Sequence, residues 1–209
     1  MLAPYIGMKI FQYLTKMLVI KEAKKKHENA ENARKAAEKL FPGEKWKEVE
    51  NGIYLSPRRA IGKKSNYVNE LRDAQILRDF GCTVYLVPEN TRNKDTQFDA
   101  IVNGMKVEFK NQNGKSELTL KDHFLKSREQ APNVFINLEK SLLSKHKIMS
   151  VLYAARTSLD YYKKNKYPEG GFIFIKIRGH EKLYYLNINE MLKKQGALRA
   201  LYAGQAVSF

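Results

Sequence analysis

The chain has 209 residues, with 38 Lys and Arg against 22 Asp and Glu, a formal net charge of +16. That length predicts one domain with a helical appendage, and 43% hydrophobic and 11% aromatic residues are enough for a core, which excludes a disordered chain. The single cysteine, Cys82, excludes a disulfide scaffold and a cysteine-cluster zinc site, and the cationic excess points to a phosphate-bearing partner such as nucleic acid.

In chain order, residues 1–20 are interrupted by Lys9 and Lys16, so no run reaches the roughly 18 apolar residues of a membrane span. No secretion-signal pattern is present there either. Ile6, Ile10, Tyr13, Leu14, Met17 and Leu18 instead make one helical face, and helix is expected over residues 5–41, broken near Lys24 to Asn32. Phe41-Pro42-Gly43 stops it. Asn51-Gly52 turns a short hairpin between residues 46–50 and 53–56. A cationic loop follows, with Arg58, Arg59, Lys63 and Lys64.

The next helix is capped by Ser65 or Asn66 and runs to about Phe80, stopped by Gly81. Residues 82–87 form an apolar, β-branched run expected as a buried strand. Residues 98–102 and 105–110 flank Asn103-Gly104, the strongest short hairpin signal. A helix over 118–131, a strand over 133–138, a helix over 142–164, a strand pair over 172–177 and 182–186, and a closing helix over 189–200 complete the reading. The fold class is therefore α/β, with a central mixed sheet flanked by helices.

The hairpin carries the chemistry. Strand side chains alternate, so Glu108 and Lys110 share one face and Val107 and Phe109 the other. Asp99 precedes Gly104 by five residues and Glu108 follows it by four, which sets the two acids beside each other. Two carboxylates and an ammonium are costly in a core, because buried charges need partners. A divalent cation relieves the carboxylate repulsion, and hard oxygen donors suit Mg²⁺ or Mn²⁺. Elsewhere signals are weak. His27, His123, His146 and His180 have no metal-ligand spacing, and no glycine-rich phosphate loop occurs. Cys82 reads as core, and the aromatic–cation run Tyr161 to Lys166 suits either a nucleic-acid groove or a helix end.

Phe98-Asp99 followed by Glu108-Phe109-Lys110 on a tight hairpin resembles the PD-(D/E)XK, or restriction-endonuclease-like, nuclease superfamily, with Phe98 in place of that pattern's proline. The stretch from Asn66 to Leu138 is more narrowly similar to the C-terminal nuclease domains of contact-dependent growth inhibition toxins and related phage-borne proteins. The resemblance implies an N-terminal helical segment over 1–45 and a nuclease domain over 46–209. It implies metal ligation by Glu70, Asp99, Glu108 and the Phe109 carbonyl, with Lys110 positioning water and Gln130, or Gln112, serving the site. Arg58, Arg59, Lys63, Lys64, Lys115 and Lys121 would then clamp the nucleic-acid backbone.

The implied activity is Mg²⁺-dependent endonuclease cleavage of tRNA or DNA in the cytoplasm, by a domain delivered within a larger secreted toxin or phage protein. An acidic immunity protein is the implied partner. Two other readings stay open: a restriction- or resolvase-like DNA nuclease, and an inactive nucleic-acid-binding or phage-structural module.

Overall fold

Parallel strands cannot be joined by a tight turn and need a crossover, usually a helix. This chain provides one at each of its three parallel pairings. The computed structural model describes residues 25–59, 64–88, 97–161 and 170–188. Helix α1 (25–40) precedes the hairpin β1 (Lys47–Glu50) and β2 (Ile53–Leu55). Helix α2 (Lys64–Asp79) leads to β3 (Val84–Leu86), followed by β4 (Ala100–Val102) and β5 (Met105–Asn111). Helix α3 (Glu117–Gln130), β6 (Asn133–Leu138), α4 (Lys145–Tyr161), β7 (Phe172–Ile177) and β8 (Leu183–Asn187) complete the described chain.

The eight strands form one mixed sheet whose spatial order equals the sequence order. β2 with β3, β5 with β6 and β6 with β7 are parallel, and α2, α3 and α4 are the respective connections. The other four pairings are antiparallel.

The alternation expected of strands divides the core into two faces. Val84, Leu86, Ala100, Val102, Val107 and Phe109 pack with Ala74 and Leu77 of α2 on one. On the other, Tyr85, Val87 and Ile101 meet Ala33, Ala37 and Phe41 from α1 and the residue after it. Leu120 and Phe124 of α3 and Ile148, Leu152 and Ala155 of α4 pack with β6, β7 and β8. The described part of the N-terminal segment thus contributes to the core of the sheet. Cys82 is buried and free, its thiol pushed up to about 12 by burial, as befits a core residue.

Element ends follow local chemistry. Ser116 caps α3, its hydroxyl accepting from the Thr119 amide at 3.2 Å. Asn103 and Gly104 take positive φ values of 49° and 89°, the turn their residue types favour. A Cβ at Gly104 would come within 3.2 Å of the Asn32 carbonyl oxygen of α1, so glycine also permits a close approach. The strands and helices from residue 46 onward fall within a few residues of their sequence-based positions. The apolar face of residues 1–20, Lys63, the loop 89–96, the run Tyr162 to Lys166 and the closing helix 189–200 lie outside the described residues.

Candidate active site at the β4–β5 hairpin

The hairpin register places the acids. Ala100 pairs with Val107, and the ladder extended by one residue sets Asp99 opposite Glu108. One Asp99 oxygen, Oδ2, accepts the Phe109 amide at 2.8 Å, which fixes the carboxylate across the strand. Glu108 and Lys110 share a face, as alternation requires, and Lys110 Nζ lies 2.5 Å from Glu108 Oε1. Glu108 is almost fully buried, and its second oxygen, Oε2, has no hydrogen-bond partner. Burial first, then the Asp99 charge, pushes the Glu108 carboxyl up to about 8, against the pull of Lys110. Such a group holds a proton or takes a cation; without either it is costly.

Glu70 of α2 approaches the same corner through an intermediary. The Arg59 guanidinium, only 2% exposed, donates from Nε to Glu70 Oε2 at 2.9 Å and brings Nη2 within 2.6 Å of it. The same Nη2 is 3.4 Å from Asp99 Oδ1, and Nη1 donates to the Val87 carbonyl. Arg59 was expected as an outward clamp for a phosphate backbone. It is instead an interior ion-pair partner, because the Ser56 to Arg59 turn directs it under α2 and the flanking acids offset its desolvation.

The expected convergence of three acids on one or two ions also takes a different form. Glu70 is held by Arg59, and among the described residues no three acid, histidine or cysteine side chains could enclose a metal ion. Asp99 and Glu108 remain as a pair of hard oxygen donors. Two carboxylates with water and phosphate completing the shell is a set that Mg²⁺ accepts, and the partnerless Glu108 Oε2 fits that role.

The remaining sequence candidates are dispersed. Gln130 ends α3 exposed, and no hydrogen bond ties it to the acids among the described residues. Gln112 is buried and its amide donates to the Ser116 carbonyl at 3.0 Å, which braces the start of α3. Arg58 is exposed and paired with the Glu44 carboxylate. Lys115 is exposed in the loop before α3, and Lys121 is half-buried on the first turns of that helix. Lys64 opens α2. His123 of α3 is half-buried, with Nδ1 unpartnered; burial, then the nearby Lys110 charge, lowers its pKa and favours the neutral ring.

One polar centre escaped the sequence reading. Asp73, one turn beyond Glu70 on α2, is completely buried and accepts from Asn111 Nδ2 at 2.6 Å and Asn137 Nδ2 at 2.7 Å. Burial pushes its carboxyl up to about 7 despite both amides. The i,i+3 spacing of Glu70 and Asp73 was the available signal, since it sets both acids on one helix face. A cavity of about 30 Å³, lined by Asn111, Asn137, Arg72 and Lys140 among others, lies at this end of β5 and β6.

Fold and site together define a mixed α/β protein with an acid pair on a central hairpin, Glu108 buried and Asp99 half-buried, flanked by built-in cations. No family model and no curated protein matches the chain. A solved structure titled as a CdiA-CT/CdiI toxin and immunity complex from Burkholderia pseudomallei is similar to it at 17% identity and a TM-score of 0.44, over 64% of this chain and 98% of that one. No helix among the described residues is long and apolar enough to cross a membrane.

Proposed function

We propose that the chain is a metal-dependent nuclease that hydrolyses phosphodiester bonds in nucleic acid. The observation that carries this reading is the Glu108 carboxylate, held inside the sheet beside Asp99 with one oxygen unpartnered and an ammonium on the other. A buried carboxylate without a full set of partners is costly, and a purely structural position avoids that cost. The net charge of +16 suits a polyanionic substrate.

Asp99 and Glu108 would hold one Mg²⁺ or Mn²⁺, with the Phe109 carbonyl as a further donor. When bound, the ion polarises a phosphate oxygen and lowers the pKa of coordinated water. The chain's own residues do the rest. The Phe109 amide fixes Asp99, so the acid pair meets substrate preorganised. Lys110, a quarter exposed at the rim, positions water and offsets charge that builds on the phosphate. Lys115 and Lys121, on the α3 side of β5, hold the flanking backbone by charge.

The similarity of residues 66–138 to growth-inhibition toxin domains ranks tRNA first among substrates, acting in the cytoplasm with an acidic immunity protein as the natural inhibitor. The test is cleavage of tRNA, plasmid and branched DNA by the same preparation, with Mg²⁺ and with EDTA. Scission that EDTA abolishes and that falls by roughly 10²–10³-fold in Asp99→Ala, with unchanged circular dichroism, is the expected result. Salt-sensitive binding without scission of any of the three substrates would leave a binding module instead.

A further inference from the structure

Resting on the reading that Asp99 and Glu108 hold a divalent ion, we infer that this site takes one ion only, and that the Arg59 guanidinium is the built-in cation standing where Glu70 and Asp99 would otherwise hold a second. The arrangement of donors leads there. Arg59 uses all three guanidinium nitrogens: Nε and Nη2 on Glu70, Nη2 again on Asp99, and Nη1 on the Val87 carbonyl. It joins the turn after β2, helix α2, the end of β3 and the entry to β4 at a point that is 2% exposed.

Asp99 is the residue two ions would have to share. Its Oδ1 faces Arg59 and its Oδ2 is fixed by the Phe109 amide beside Glu108. Glu70 faces Arg59 across the gap, and Asp73 below it has both oxygens taken by asparagine amides. Charge arithmetic points the same way. Glu70, Asp99 and Glu108 against Arg59 and Lys110 leave one net negative charge. A single divalent ion reverses that, and a second would add two positive charges with no anion left to receive them. Arg59 is thus a positioning residue that spaces Glu70 from Asp99 and limits the ion count.

Calorimetric titration of the full chain with Mn²⁺ alone tests this without reference to activity. The wild type should bind one ion, Arg59→Met should bind two, and Arg59→Met combined with Glu70→Gln should return to one. Two ions in the wild type, or one in Arg59→Met, overturns the inference while leaving a metal-dependent nuclease standing. No ion in the wild type removes both readings together. If Arg59→Met fails to fold, Glu70→Gln decides: Mn²⁺ affinity within about threefold of wild type supports Arg59 as the partner of Glu70, and a loss beyond about tenfold makes Glu70 a ligand and overturns the inference.

Discussion

Two buried carboxylates, Glu108 on β5 and Asp73 on the helix α2 that packs against the same part of the sheet, differ in how they are satisfied. Asp73 has an amide on each oxygen, from Asn111 and Asn137, and no cation among its hydrogen-bond partners. Glu108 has an ammonium on one oxygen, no donor on the other, and a second acid, Asp99, that can accept from its carboxyl only when that carboxyl holds a proton. Both are pushed up by burial, to about 7 and about 8. The first centre is closed, with its bonds spent on pinning α2 to β5 and β6. The second is incomplete without a ligand. A perturbed carboxyl is therefore a poor guide to function until its lone pairs are accounted for.

The largest effect expected from this contrast is on catalysis. Glu108→Gln should lower single-turnover cleavage by roughly 10³-fold, whereas Asp73→Asn should leave it within about threefold. Equal losses would erase the distinction between the centres.

Stability should respond in the opposite sense. Asp73→Ala strands the amides of buried Asn137 and half-buried Asn111 and should cost about 2–4 kcal/mol in urea unfolding.

The smallest effect is a pH slope. Asp73 has a folded pKa of about 7 against an ordinary 3.8, so between those values the native state keeps a proton that the unfolded chain has released. Its stabilisation is full below the unfolded value and is lost as pH rises through the folded one. Glu108, raised in the same direction, adds to the fall up to about 8. The urea midpoint in EDTA should therefore decrease from about pH 5 to about pH 8, and Asp73→Asn should flatten the lower part of that slope.

The sheet was largely legible because its signals are local. Asn103-Gly104 fixes one turn type, the turn fixes register, and register sets Asp99 opposite Glu108. The alternation that pairs Glu108 with Lys110 follows from strand geometry alone. What was not legible depends on long-range packing. Arg59 lies in a cationic loop and its sequence neighbours give no hint that three acceptors from α2, β3 and β4 enclose it. Asp73 disappears among the polar positions of α2 because only the folded sheet brings Asn111 and Asn137, 38 and 64 residues away, onto it. Gln130 was placed by family resemblance, and the direction of α3 carries that helix end to exposed surface.

The close approach of Gly104 to Asn32 ties the first helix to the chemistry. The loop that fixes the acid pair also serves as the seat on which α1 rests, so bulk added there would be felt in both directions. Helix α1, part of the expected helical appendage, is a mechanical brace for the hairpin. Removing α1 would then loosen the two strands bearing Asp99 and Glu108 long before it exposed the sheet beneath α3 and α4.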